Sequence, residues 1–399
     1  ENKMESLNPR QQLAITIKNW SFHEENDAYL IQEGAVHAII ALASMDDALI
    51  KRCCASALFQ LSSREQNRSK LLSLGAVNGV IALTMQVKSW KIAKLCAMTL
   101  CNFSMVPTFE GAMARDGSIL ALVVLMSIKG HHLLPICVQT FYNLSCVENY
   151  YKGMERTFKA VMNLPHSDFD AVPFVFRIFV NCARFSWMRL RMVEEGAISA
   201  MLIVIPSLAT RENVGELVDN MAITLRLLTD SPGCRHELLA KGTVDLLYQL
   251  LPYCDNKNRL LVIKSLHNML QGNLLNIVMF EHAVSVAVDI INSSDDEVVL
   301  QYAAACVHIF SKESYRNCQK VASRVIDCLY KLFLSKDPLT QFFVSTTTAT
   351  LFFSTMCPER AKVEQLLLKF IDCGMNCVDI ETTKVFTATS ARRIRSRCC

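Results

Sequence analysis

A short apolar phrase built around glycine returns along this chain at a nearly constant interval. That periodicity restricts the fold more than any other feature. Glu33-Gly-Ala-Val36-His-Ala-Ile-Ile-Ala-Leu42 comes back as Leu74-Gly-Ala-Val77-Asn-Gly-Val-Ile-Ala-Leu83. Shorter copies are Asp116-Gly-Ser-Ile119, Glu195-Gly-Ala-Ile198 and Lys241-Gly-Thr-Val244. The glycines stand at 34, 75, 117, 196 and 242, so the steps are 41, 42, 79 and 46 residues. The step of 79 is about two periods of ~40, the length of a helical repeat. Degenerate copies follow at Glu281-His-Ala-Val284 and near Arg324-Val-Ile326, and the pattern is faint near Val363 to Leu368.

A second marker keeps the same beat. It reads apolar-x-Asn-apolar-Ser, as in Ile17-Lys-Asn19-Trp-Ser21, Leu100-Cys-Asn102-Phe-Ser104 and Phe141-Tyr-Asn143-Leu-Ser145. Looser copies are Leu58-Phe-Gln60-Leu-Ser62, Phe179-Val-Asn181-Cys-Ala183 and Leu266-His-Asn268-Met-Leu270. Composition agrees with long helices. Hydrophobic residues make up 51% of the 399, and only 13 glycines and 10 prolines interrupt them.

On these residues the unit resembles an armadillo repeat: a short helix H1, a Gly hinge, then H2 and a long H3 ending in Asn-apolar-Ser. The clearest copy predicts H2 over Ala35 to Ser44 and H3 from about Ala48 to Leu61, with Cys54, Ala57, Leu58 and Leu61 on one apolar stripe. H1 follows over Gln66 to Leu74. Gly75 is read as the residue that avoids obstructing the tight H1–H2 packing. HEAT repeats share the period but lack this hinge and the terminal Asn. The resemblance implies an all-α, right-handed superhelical solenoid of about eight to nine repeats. Its expected divisions are a partial repeat or cap over 1–22, the solenoid over 23–370 and a basic, Cys-containing tail over 371–399. Within it, 150–215 is irregular: the copy expected near Gly153 to Ala160 has no Gly-Ala hinge in phase, Pro165 and Pro173 intrude, and the stretch after Pro206 is overlong.

The sequence carries no recognisable catalytic motif. No phosphate-binding glycine loop, nucleophile elbow, zinc-protease motif or Cys-x-x-Cys occurs. Cys373-Gly-Met-Asn-Cys377 supplies only two of the four converging ligands that zinc needs and reads as ordinary thiols. His131-His132 reads as a loop pair, and His267 and His308 as structural histidines. The 17 cysteines are an odd number, and most lie in apolar helical stretches, so reduced thiols and a cytoplasmic or nuclear setting are expected. The longest apolar run, Ile119 to Met126, falls short of the ~18 residues of a membrane span. With 41 basic against 37 acidic residues, the charge is too balanced for a dedicated nucleic-acid binder. No cofactor, metal or catalytic residue is expected.

The resemblance implies a concave groove lined by H3, with the terminal amides as a ladder for a partner's extended backbone. The ladder carried over is Asn19, Gln60, Asn102, Asn143, Asn181 and Asn268. It fails at Leu227 and is ambiguous at His308 and Phe352. One turn earlier come Ile15, Ser56, Met98, Gln139, Arg177, Ile223, Lys264 and Ala304. Nuclear-import receptors resembling this fold place Trp there. Here Trp20, Trp90 and Trp187 fall elsewhere, which argues against an importin-like groove. A further turn back are Cys53, Leu95, Ile136, Phe174, Asn220 and Leu261. The candidate groove residues are therefore Gln60, Met98, Asn102, Gln139, Asn143, Phe174, Arg177, Asn181, Lys264 and Asn268. The alternative role for each Asn is a bond to its own helix end or to a neighbouring loop.

The first helix, about Pro9 to Ser21, already reads as an H3. With no initial Met, this predicts a piece of a longer protein or an atypical capping repeat. The C-terminal stretch is basic at Arg392, Arg393, Arg395 and Arg397 and ends in Cys398-Cys399. It is expected to be a plain tail, with lipidation as the alternative. The function expected is a non-catalytic protein-interaction scaffold holding an extended or helical partner segment. Variants place it in a cytoskeletal or ciliary docking assembly, in a soluble transport or signalling adaptor, or at a membrane through Cys398 and Cys399.

Overall fold

In the computed structural model, the described residues are 7–115, 117–128, 133–145, 161, 171–210, 214–271, 277–312, 318–353 and 359–372. They are helical throughout, with no strand among them. The chain forms two compact units, Glu1–Phe185 and Ser186–Cys399.

Unit 1 is a stack of three-helix repeats. After α1 (Pro9–Trp20) come α2 (Asp27–Gln32), α3 (Ala35–Ala43) and α4 (Ala48–Ser63), which are H1, H2 and H3 of one repeat. The same order gives α5 (Glu65–Ser73), α6 (Ala76–Met85) and α7 (Trp90–Ser104), then α8 (Glu110–Arg115), α9 (Ser118–Ser127) and α10 (Leu133–Ser145). The unit closes with α11 (Val172–Ala183). The H3 helices α1, α4, α7, α10 and α11 pack in series, and the H2 helices α3, α6 and α9 form a second layer. The expected bounds of the first full repeat hold to within two residues at each end. Side chains on the expected stripe, Cys54, Ala57, Leu58 and Leu61, are all buried. Each repeat buries its apolar face only against its neighbours, as in a solenoid.

Two local devices shape each repeat. Asp47 caps α4, its carboxylate accepting from the backbone N–H of Leu49 at 2.8 Å and Ile50 at 2.9 Å. The hinge glycines all take left-handed φ, +81° at Gly34 and +77° at Gly75. The reason differs from the crowding read from the sequence. A Cβ at Gly34 would meet nothing within 4 Å, and one at Gly75 would meet only Asn78 Nδ2 at 3.3 Å. Backbone conformation, not space, demands glycine there.

Unit 2 begins in the same style, with α12 (Ser186–Glu194), α13 (Ala197–Leu208) and α14 (Gly215–Thr229) as one repeat. The next is α15 (Arg235–Ala240), α16 (Thr243–Leu250) and α17 (Asn256–Leu270). The style then changes. The helix α18 (Ile277–Ser293) runs unbroken through His282, and α20 (Cys318–Phe333) runs through Arg324, the two positions where the weak copies lack glycine. Without a residue that accepts left-handed φ, H1 and H2 are one straight helix. The H3 helices there are α19 (Glu297–Lys312) and α21 (Pro338–Phe353), followed by α22 (Arg360–Asp372). Nine H3 helices are present among the described residues, in keeping with eight to nine repeats.

Buried hydroxyls recur inside H3 at one register. Thr99, Thr140, Thr224 and Ser265 each donate to the carbonyl four residues back, at 2.7–2.8 Å. Each small polar group is thus satisfied by its own helix and asks nothing of the core.

Candidate functional site

The ladder amides of unit 1 sit at the C-terminal ends of successive H3 helices, and the structure assigns part of each a structural partner. Asn102 Nδ2 donates to Ser62 Oγ of the preceding repeat at 3.2 Å. Asn143 does the same to Ser104 Oγ at 2.9 Å, and Asn181 to Ser145 Oγ at 2.9 Å. Each serine hydroxyl in turn donates to the carbonyl three residues back: Phe59 at 3.0 Å, Cys101 at 2.7 Å and Tyr142 at 2.7 Å. The result is a relay from amide to hydroxyl to carbonyl that ties repeat to repeat. This is a variant of the neighbour-bonding role weighed for these residues, with the preceding helix end in place of a loop.

The relay does not consume the amides. Among the described residues, the Oδ1 of Asn102 and of Asn143 makes no hydrogen bond, and both side chains are half-buried. Beside them on the same face, Met98 and Gln139 are half-buried one turn earlier on α7 and α10. On α11, the Arg177 guanidinium lies 5.6 Å from the Tyr142 ring and 5.4 Å from the Phe174 ring. Those two rings are 6.2 Å apart. A cation held over two ring faces is attracted by their quadrupoles and is orientationally fixed. The stack therefore gathers Met98, Asn102, Gln139, Asn143, Phe174, Arg177 and Asn181 along α7, α10 and α11. Cys53 is fully buried instead and drops out of the expected lining.

Gln60 behaves differently from the asparagines. Its side chain has no bond to Ser21; Arg64 replaces the relay at this step. The Arg64 guanidinium donates to Asp27 at 2.7 Å, to the Ser21 carbonyl at 3.1 Å and to the Phe22 carbonyl at 3.2 Å. Asn67 Nδ2 adds a bond to Asp27 Oδ2 at 2.6 Å. Asp27 is 4% exposed, so this buried carboxylate is paired and bonded, as burial of a charge requires.

In unit 2 the face has another character. Lys264 Nζ lies 5.0 Å over the Tyr302 ring, and His267 meets the same ring edge-on at 5.7 Å. Burial and the neighbouring Arg226 and Arg235 push the His267 pKa below its ordinary value. Asn268 Nδ2 is buried with no hydrogen-bond partner among the described residues. Two residues after the preceding ladder position stands Thr229, which donates to the Arg226 carbonyl at 3.2 Å, as the relay serines do to theirs, but accepts nothing from Asn268. Ala304 is buried and is not part of any face. His308 Nδ1 lies 3.3 Å from Thr346 Oγ1.

Sequence reasoning missed the serines Ser62, Ser104 and Ser145 as partners, although they were already part of the marker. It also missed Tyr142, adjacent to Asn143, and the Arg64–Asp27 clamp, whose partners lie 37 residues apart. Among the described residues, ten cysteines are buried and unpaired. Burial raises their thiol pKa values, to about 12 for Cys54, Cys96 and Cys137. Among the described residues no group of three or more His, Cys, Asp or Glu could hold a metal, and no helix is long and apolar enough to cross a membrane. His131-His132, Cys373, Cys377, Cys398, Cys399 and the C-terminal arginines lie outside the described residues.

No family model matches the chain, and no curated protein matches it. Among solved structures it is similar to an engineered protein, with a TM-score of 0.55 and 16% identity over 93% of this chain and 97% of that one. A computationally designed armadillo repeat protein for modular peptide recognition aligns at a TM-score of 0.46 and 15% identity, over 57% of this chain and 94% of that one. At such identities, likeness speaks of fold alone. The fold is an all-α solenoid of armadillo-like repeats.

Proposed function

We propose that the chain is a non-catalytic interaction scaffold that holds an extended or helical segment of a partner protein along the H3 face of unit 1. The observation that carries this is the half-spent amide ladder. Asn102 and Asn143 each present a carbonyl oxygen that no described group uses, one per repeat, beside Met98 and Gln139. An extended polypeptide offers backbone N–H and C=O groups in regular alternation, and an amide side chain can both accept and donate. The buried thiols support the non-catalytic reading, because a raised pKa leaves almost no thiolate to act as nucleophile. They also fit a reducing, cytosolic setting. No feature of the described residues singles out a cytoskeletal, ciliary or membrane-tethered variant.

The test uses a photo-reactive amino acid in place of Gln139 on the H3 face, and separately in place of Leu120, which is exposed on the H2 layer. Each variant is irradiated with peptides selected from a random linear display library. Crosslinking at 139 and not at 120 is expected. Crosslinking at 120 alone, or at neither, would remove the H3 face as the binding surface.

A further inference from the structure

Charge is distributed very unevenly over the helices of unit 1. The five H3 helices carry Arg10, Lys18, Lys51, Arg52, Lys91, Lys94 and Arg177, and not one aspartate or glutamate. The H3 helices of unit 2 are mixed by comparison: α14 holds Glu216 and Asp219, and α19 begins with Glu297. The two carboxylates directly before α4, Asp46 and Asp47, are already engaged. Asp46 bonds Lys51 at 2.8 Å, and Asp47 caps the helix and accepts from Gln11 at 2.9 Å.

Register places three of the cations on the ladder stripe. Residues four and eight before each ladder position share its helix face. On α4 the stripe is Arg52, Ser56, Gln60; on α7 it is Lys94, Met98, Asn102; on α11 it is Pro173, Arg177, Asn181. Arg52 is exposed and Lys94 half-buried, and neither has an ion pair or hydrogen bond among the described residues. Arg177 is held over Tyr142 and Phe174.

We infer that the partner of this face is an acidic linear segment of a protein, its carboxylates meeting Arg52 and Lys94. The inference rests on the reading of the H3 face as the binding surface. Packed helices lie about 10 Å apart, and an extended chain advances about 3.3 Å per residue. Arg52 and Lys94 are one helix apart. The two carboxylates are therefore spaced about three residues apart. Beside the cations the face offers Met98, Ile136 and Phe174, which suit apolar side chains. A nucleic-acid strand fits less well, because its phosphates recur about every 3.4 Å along a duplex strand, far more densely than these cations.

The experiment is selection from a random linear peptide library on the whole chain, with affinities then measured for the wild type, for R52E/K94E and for K70E. Lys70 is an exposed residue of an H1 helix and serves as the charge control. Thermal melts of all three confirm folding, and the oligonucleotide dT20 is titrated in parallel. The expected result is a pool rich in Asp and Glu, weakened at least tenfold by R52E/K94E, changed less than twofold by K70E, and weakened by salt. A neutral or basic pool that still crosslinks at position 139 would overturn the acidic partner while leaving the H3 face in place. Failure to enrich any peptide would sink both readings. Tighter binding of dT20 than of the selected peptides would replace the acidic protein segment with a nucleic acid.

Discussion

The relay between repeats can be tested as an energy. Asn143 Nδ2 to Ser104 Oγ is a neutral bond of 2.9 Å, and Ser104 is buried, so water cannot substitute for its partner on that side. A neutral intramolecular hydrogen bond contributes about 0.5–1.5 kcal/mol net. Asn143→Ala removes the donor, but Ser104 keeps its own donor bond to the Cys101 carbonyl at 2.7 Å, so no buried donor is orphaned. Ser104→Ala removes the acceptor and leaves a half-buried amide that can turn to solvent. Each single change should therefore cost about 1 kcal/mol, and the double change little more than either alone. The coupling expected from the cycle is about 0.5–1.5 kcal/mol, read from urea unfolding followed by circular dichroism. The same cycle at Gln60 and Ser21, where no relay bond exists, should show none. A coupling near zero at 143 and 104, or an equal one at 60 and 21, would refute the relay.

Three further outcomes follow from the geometry. Gly34→Ala introduces no clash and should cost about 1–2 kcal/mol from left-handed φ alone. Gly75→Val, which adds branching, should cost about 1–3 kcal/mol; unchanged melting of both would remove the hinge assignment. Because burial raises the described thiols in the fold, the unfolded chain loses thiol protons first as pH rises past about 9. Thiol-linked stability is thus complete at neutral pH and declines above that point, and replacing Cys96 and Cys137 by Ala should flatten the decline measured by pH-dependent melts. Burial lowers the His267 pKa, so the unfolded state binds its proton first and stability should fall as pH drops below about 6.5. A pH profile unaltered by His267→Gln would contradict this.

How much of this was legible beforehand depends on the interaction involved. Helix bounds in the first repeat were readable because glycine spacing and an i, i+4 apolar stripe are local signals. Gly75 was placed correctly as a hinge at a special backbone position, but obstruction is not why glycine stands there, since a sequence shows where glycine recurs and not whether a Cβ would find space. The fusion of H1 with H2 at His282 and Arg324 could have been read from the missing glycine. The serine relay was half-visible: Ser62, Ser104 and Ser145 kept phase with the amides, but the bond crosses from one repeat to the next, about 40 residues on. The clamp of Arg64 on Asp27 had no periodic signal, because it occurs at a single step. Burial of Cys53 and Ala304 also escaped the helical register, since which turn of H3 emerges at the surface depends on the packing of neighbouring helices.

The most direct measurement compares two double variants against one selected peptide by calorimetric titration. Asn102→Ala with Asn143→Ala removes the carbonyl oxygens facing the partner. Ser62→Ala with Ser104→Ala breaks the same inter-repeat bonds from the other side and leaves those oxygens intact. If the H3 face of unit 1 reads a partner's backbone, the asparagine pair weakens binding by roughly ten- to a hundredfold, equivalent to about 1.4–2.7 kcal/mol, while the serine pair stays within threefold. Equal loss in both, or no loss in either, would mean that the amides serve the stack alone and that the partner is held elsewhere.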